Sequence, residues 1–455
     1  MSQMATAADA AAFAKRAQAY KRVEECHRRL MDDPENPDLH KERARALHAF
    51  GHVASDRTAY EQAILSYTRA IELNSNDPES YLWRSNAEIR LDLKQAALAD
   101  SEAAARLDPG LRDAHVCRGS TLNALGRHAE ALEASDYALA STGDSPELYY
   151  NRGLALSRLG RHAESADSFR RATQLAPADR FNWHMLAAVL HRLGRYGEAL
   201  DAAQRALSLA HGDAKLLLLV GDTLNRLGRH AEALQSIEQS LARDPDNTDA
   251  CAAKGQALFL LGHRAESLSV FDALVSEHSG NASFHLCRAW PLHALGRHAE
   301  ALSACRRAIK IDPANRATRA LEGTLLHNVG LCREALVSLD RALRMDPDNA
   351  ELHLARAHSL AILGRHRESA SAARRAISLD PTLAHAHKSL GSTLYVLGDS
   401  AGALASFEHS LSLDPGLAHS HLGKGLALRA MGQHERARES FDAAAGLDPG
   451  VFAPS

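Results

Sequence analysis

The sequence predicts an all-α fold in which antiparallel helix pairs stack into a solenoid along nearly the whole chain. The main observation is a glycine that returns every 34 residues, ten times in succession without an insertion. The second is composition, because alanine is abundant and aromatic residues make up only 5%, which suits closely packed helices better than sheets. The repeated glycines are Gly126, Gly160, Gly194, Gly228, Gly262, Gly296, Gly330, Gly364, Gly398 and Gly432.

Each period holds two helices, which this glycine separates and an Asp-Pro pair often ends. Glycine adopts the left-handed conformation that follows a helix C-terminus, and proline cannot continue a helix because it lacks the backbone N–H. Small residues recur seven positions before the glycine, as at Gly153, and five positions after it, as at Ala131. We expect the paired helices to approach most closely there. Since one pair cannot bury its own apolar side, neighbouring pairs must stack.

These features resemble the tetratricopeptide repeat family over about residues 37–451. The resemblance implies a right-handed superhelical solenoid of about twelve antiparallel helix pairs, preceded by a helical cap or degenerate repeat at residues 1–36. The expected units are 37–77, 78–111, 112–145, 146–179, 180–213, 214–247, 248–281, 282–315, 316–349, 350–383, 384–417 and 418–451.

The chain departs from the family pattern in three ways. Asp92 and Thr58 stand where the register expects a turn glycine. Gly51 is therefore interpreted as the turn glycine of the first unit, followed by an insertion over residues 52–58. The family's aromatic residue eleven positions before the glycine becomes histidine at His115, His285, His353, His387 and His421.

A second histidine lies in the segment LGRHAEAL, where it opens the second helix of the pair. In other units Tyr196, Cys332 or Ser400 takes this position, and a catalytic or metal-binding role does not tolerate such exchange. Successive copies lie about 8–10 Å or more apart, too far to share one zinc ion. We therefore expect a packing role, with no metal and no cofactor. The segment occurs at Leu125–Leu132, Leu227–Leu234 and Leu295–Leu302.

Composition argues against several classes of partner. The net charge of −3 gives no electrostatic reason to expect nucleic acid or an anionic membrane. The sequence contains no run of about 18 apolar residues, which is the length needed to span a bilayer. The six scattered cysteines lack any C-x-x-C pair, which suits a reducing cytoplasm. We expect a cytoplasmic protein.

The resemblance also implies where a ligand binds. In this family the first helix of each pair lines a concave groove, and its groove slots lie thirteen, ten, six, three and two residues before the turn glycine. The implied peptide-binding residues are Tyr150, Arg158, Phe181, His184, His191, Arg192, Asn225, Arg226, Gln256, Phe259, Trp290, His293 and His327.

Two groups within this set are distinctive. Arg158, Arg192 and Arg226 occupy one slot in successive units, where guanidinium groups can hold the carboxylates of an extended peptide. The alternative is solvated arginines near a helix C-terminus. Trp290, with Phe259, His293 and His327, forms either an aromatic binding anchor or core filling.

Charged residues also follow the two edges of the array. Arginines such as Arg127 and Arg161 occupy the turns within the pairs, whereas aspartates such as Asp108 and Asp312 occupy the turns between pairs. They are either solvated turn residues or a basis for weak edge-to-edge self-association.

We expect a non-enzymatic scaffold that binds a protein or an extended peptide. If the arginines of the shared slot contact this partner, we expect the partner to be acidic. No phosphate loop or nucleophile elbow is present. The alternative is a repeat region that acts in trans with, or is related to, a repeat-bearing glycosyltransferase or another larger complex.

Overall fold

A computed structural model of the chain describes residues 2–209 and 212–452. Over these residues the structure contains twenty-five α-helices and no strand, so the predicted all-α class is confirmed. After α1 the helices form twelve antiparallel pairs, which matches the expected number. Close backbone contacts divide the chain into two compact units, Met1–Arg243 and Asp244–Ser455.

The first unit contains one long N-terminal helix and six helix pairs. Its helices are α1 (Ser2–Asp32), α2 (Pro37–Ala54), α3 (Arg57–Leu73), α4 (Pro78–Arg90), α5 (Lys94–Leu107), α6 (Arg112–Ala124), α7 (His128–Thr142), α8 (Pro146–Arg158), α9 (His162–Leu175), α10 (Arg180–Arg192), α11 (Tyr196–Leu209), α12 (Ala214–Arg226) and α13 (His230–Leu241).

The second unit contains the other six pairs. Its helices are α14 (Thr248–Leu260), α15 (Arg264–Glu277), α16 (Ala282–Ala294), α17 (His298–Ile311), α18 (Arg316–Asn328), α19 (Cys332–Met345), α20 (Ala350–Ile362), α21 (His366–Leu379), α22 (Ala384–Val396), α23 (Ser400–Leu413), α24 (Ala418–Ala430) and α25 (His434–Leu447).

The turn inside each pair depends on one residue with a positive φ. Gly126 has φ 76°, and the next N–H, that of Arg127, donates to the Leu122 carbonyl at 2.9 Å. Asp92 takes the same conformation with φ 64°, which explains how this pair keeps its turn without glycine.

The first pair differs from its sequence interpretation. Gly51 lies inside α2, and Ser55, with φ 53°, makes the turn instead. The interpretation of Gly51 as the turn glycine is therefore wrong. The extra residues lengthen α2, and Gly51 leaves room there for the Tyr60 ring. A Cβ added to Gly51 would lie 3.2 Å from that ring. Asp56 then caps α3 by accepting from the Thr58 N–H at 2.9 Å.

The two helices of a pair meet where a small residue faces a large one. The Phe169 ring is fully buried against Gly153, and a Cβ added to this glycine would lie 2.9 Å from the ring. Gly255 and Phe271 repeat this contact in the second unit. Packing at this density leaves no space for a methyl group.

The histidines that replace the family's aromatic residue keep a hydrogen bond that tryptophan makes. Trp183 donates from Nε1 to the Pro177 carbonyl at 3.0 Å, six residues earlier. The His115 Nε2 makes the same bond to the Pro109 carbonyl at 3.0 Å. A ring N–H in this position ties the first helix to the turn that precedes it. The equivalent histidines are His285, His353, His387 and His421.

We expect Gly153→Ala to lower the free energy of unfolding by about 1–3 kcal/mol, because the buried Phe169 ring must move. The matched control is Gly197→Ala in α11, where an added Cβ has no neighbour within 4 Å. This control should be neutral or stabilise by up to about 1 kcal/mol. Urea denaturation followed by circular dichroism measures both. Equal effects of the two substitutions would contradict the packing argument.

Candidate functional site

The first helices of neighbouring pairs form one face of the first unit. On this first-helix face α4 packs on α6, α6 on α8, and α10 on α12, whereas α8 and α10 approach each other less closely. A cavity of about 340 Å³ opens at this gap. Its lining includes Val116, Pro146, Glu147, Tyr150, Asn151, Asp179, Phe181 and Asn182.

The structure brings two of the sequence-predicted residues, Tyr150 and Phe181, together in this cavity. The Tyr150 ring meets the buried Phe169 ring edge-on, with 5.7 Å between centroids. The Phe181 side chain is 55% exposed, although it is large and apolar. Burial, and then the nearby Asp179 carboxylate, raise the pKa of Tyr150, so its hydroxyl stays protonated.

The remaining polar residues of the cavity include one that the sequence analysis missed. Asn182 is only 2% exposed and lies one position after Phe181, outside the groove slots of the family pattern. Asn151 donates from Nδ2 to the Val116 carbonyl at 3.0 Å and so fixes α8 against α6. The only sequence signal that points to Asn182 is an amide side chain in the first turn of a helix, and it is a weak one.

The arginines at the predicted slot differ from those in the turns. Arg158, Arg192 and Arg226 are exposed, and none of them forms an ion pair with a residue that the structure describes. Arg226 alone has a ring partner, because its guanidinium carbon lies 5.9 Å from the centre of the Tyr196 ring. The positive charge of these three residues is therefore uncompensated.

In the turns, by contrast, each LGRH arginine is bound to a glutamate three residues later. Arg127 donates from Nε and Nη2 to the two carboxylate oxygens of Glu130 at 2.7 and 2.6 Å. The pairs of Arg161 and Glu164, Arg195 and Glu198, Arg229 and Glu232, Arg297 and Glu300, and Arg365 and Glu368 repeat this geometry. The positive charge needed for an edge-to-edge contact is therefore balanced locally.

The predicted groove histidines of the first unit are neutral, and His191 already has a hydrogen-bond partner. His191 donates from Nδ1 to the Thr223 hydroxyl at 3.0 Å, since that hydroxyl itself donates to Leu219. Burial, and then the charge of Arg226, lower the pKa of His191. Burial also lowers the pKa of the half-buried His184. These side chains offer a ligand polar, uncharged surface.

The residue three positions before the turn glycine often contacts the LGRH histidine. The Asn225 Oδ1 lies 3.3 Å from Nδ1 of His230, and His293 Nδ1 lies 3.1 Å from His298 Nδ1. Because these contacts join the first and second helices of a pair, they agree with the expected packing role of the LGRH histidine.

The predicted aromatic residues of the second unit do not form one cluster. Trp290 is 41% exposed, but no ring contact among the described residues joins it to Phe259, His293 or His327. His327 instead stacks on His358 with 5.9 Å between centroids. Gln256 is exposed, and its Nε2 lies 3.9 Å from Sγ of Cys287. Trp290 is thus presented singly.

No group of three or more histidine, cysteine or acidic side chains in the described ranges has a geometry that could hold a metal ion. All six cysteines are free thiols. Within residues 2–209 and 212–452, no helix combines the length and the apolar character needed to cross a bilayer.

Family comparison agrees with this architecture. Tetratricopeptide repeat models match residues 44–77, 146–179, 180–246, 224–290, 290–315, 321–384 and 388–451. Because these segments together cover most of the sequence, the chain belongs to the tetratricopeptide repeat family.

Individual relatives match only parts of the chain or match it weakly. Serine/threonine-protein phosphatase T of Trypanosoma brucei brucei is 37% identical over 91 residues, which are 20% of this chain and 19% of that protein. Small glutamine-rich tetratricopeptide repeat-containing protein 2 of Mycosarcoma maydis is 36% identical over 101 residues, 22% of this chain and 28% of that protein. The chain thus spans less than a third of either relative. Among solved structures, the APC/C hetero-tetramer Cut9-Hcn1 is 17% identical, with a TM-score of 0.46, over 90% of this chain and 88% of that chain.

The stability of the second unit should depend on the neutral form of His358. Burial, and then the charges of Lys388, His327 and His385, lower the pKa of His358 from 6.5 to about 4. Between these two pH values the unfolded chain binds a proton that the folded chain excludes, so stability is present above pH 6.5 and falls as the pH drops towards 4.

We expect His358→Gln to flatten this pH dependence by about 3 kcal/mol between neutral and acidic pH. Urea denaturation of both proteins over that pH range measures the difference. The control is His353→Gln, which removes a second histidine from the same helix. Parallel pH profiles for the original protein and His358→Gln would refute the assignment.

Proposed function

We propose that this protein is a non-enzymatic interaction scaffold that binds an extended, partly acidic peptide on the first-helix face of its first unit. Acidic side chains of the peptide contact Arg158, Arg192 and Arg226. The observation that supports this proposal is the unpaired state of these three exposed arginines, in a chain whose LGRH turn arginines all have glutamate partners.

The chemistry of the slot suits carboxylates. A guanidinium group donates two parallel hydrogen bonds to one carboxylate, and such charge-assisted bonds are about twice as strong as neutral ones. Three copies at the same slot of consecutive pairs provide a row of contacts, which favours an extended peptide over a compact ligand. Members of this family bind protein or peptide partners, and the arginine row gives such binding a preference for acidic residues.

The test is selection of a displayed library of random dodecapeptides on the full chain. We expect selected peptides to be enriched in aspartate and glutamate, and their affinity to fall by about tenfold or more for the variant Arg158→Glu, Arg192→Glu, Arg226→Glu. Fluorescence anisotropy measures the affinity, which should also weaken as salt is added.

The matched control is a variant with the same change in net charge, placed on the second helices of three pairs. Arg205, Arg307 and Arg341 are exposed there and form no ion pair with a described residue, so each is also changed to Glu. We expect this control to bind the selected peptides within about twofold of the original protein. Equal losses in both variants, or in neither, would overturn the assignment of the arginine row.

A further inference from the structure

We infer that the cavity between α8 and α10 is a pocket for a lysine or arginine side chain of the bound peptide. This inference rests on the proposed function, because it assigns a second subsite to the same peptide. The occupant is therefore an extended peptide that carries both charges, with acidic residues on the arginine row and one basic residue in the cavity.

Two acidic side chains give the cavity a negative charge. The Glu147 and Asp179 carboxylates line the cavity, and neither forms an ion pair with a described residue. Glu147 accepts a hydrogen bond from the Ser145 hydroxyl at 2.5 Å, and Asp179 accepts one from the Phe181 N–H at 2.9 Å. These bonds orient the carboxylates but leave their negative charge uncompensated, so the cavity complements a cation.

Two aromatic rings form part of the cavity wall. Tyr150 and Phe181 line the cavity, and the face of an aromatic ring attracts a lysine or arginine cation. Phe181 already has one such contact, because the Arg180 guanidinium carbon lies 4.7 Å from its ring centre. Arg180 itself is directed towards Asp213, whose carboxylate lies 3.5 Å from Nη1. The carboxylates of the cavity therefore remain available.

A buried residue of the cavity has an unpaired side-chain amide. Asn182 is 2% exposed, lines the cavity and makes no hydrogen bond to a described residue through its side-chain amide. The Tyr150 hydroxyl likewise has no hydrogen-bond partner among the described residues. A peptide N–H or a cationic side chain in the cavity supplies the missing partner.

Geometry sets the spacing of the two charges. The cavity volume of about 340 Å³ lies within the range of small-ligand sites. Glu147 and Arg158 are eleven residues apart on α8, which corresponds to about 16 Å along the helix axis. An extended peptide covers that distance in about five residues. The basic residue should therefore lie about five positions from an acidic one.

The test uses the dodecapeptides selected on the full chain. We expect one lysine or arginine to recur about five residues from an acidic position. The double variant Glu147→Gln, Asp179→Asn should weaken these peptides by about tenfold, because it removes both charges while asparagine still caps α10. The matched control is Glu351→Gln with Asp249→Asn, which changes two exposed acids that occupy the slot of Glu147 in second-unit helices. It should change the affinity for these peptides by no more than about twofold.

A charge exchange gives an independent readout. A peptide whose recurring basic residue is replaced by glutamate should bind Glu147→Lys at least about tenfold better than it binds the original protein. The pocket is refuted if selected peptides lack the basic residue, or if neither the neutral variant nor the charge exchange changes affinity. Loss of binding in the arginine variant alone would then leave the proposed function intact, whereas insensitivity to both sets of substitutions would remove both proposals.

Discussion

The close approach of the two helices in each pair is the constraint on which the rest of this structure depends. Gly153 leaves room for the buried Phe169 ring, and the same small-against-large contact recurs in both units. Because every pair is built to the same spacing, a given slot falls at an equivalent place in each pair. A side chain repeated at that slot becomes a row, which is how single residues become an extended surface.

Identical residue types have different electrostatic surroundings in this framework. The arginine after the turn glycine lies three residues before a glutamate on the same helix, and the two form a closed ion pair, as Arg127 and Glu130 do. The arginine two residues before the glycine, such as Arg158, has no such partner. Since exposed ion pairs add little stability, the main effect of the turn pairs is to neutralise one edge, whereas the arginine row keeps its charge.

Histidine serves the fold in two distinct ways. At the aromatic slot its ring N–H replaces that of tryptophan, as the bonds of His115 and Trp183 to equivalent carbonyls show. On the first helices of both units, burial lowers the pKa of His191 and His358, so these rings remain neutral. Hydrogen bonding and packing therefore account for these histidines.

The sequence by itself determined the repeat, the helix pairs, the turn glycines and the small-residue contacts. These features follow from local backbone preference and a fixed period, which is why Gly126 could be assigned without coordinates. The same reasoning failed at Gly51, because the position of a turn there depends on how Tyr60 packs against a longer helix. Only the tertiary structure decided that the gap between α8 and α10 joins Tyr150, Phe181 and Asn182, and that Trp290 stands apart from the other predicted rings. Such outcomes depend on distances between side chains that are far apart in the chain, and those distances are set by the packing of whole helices.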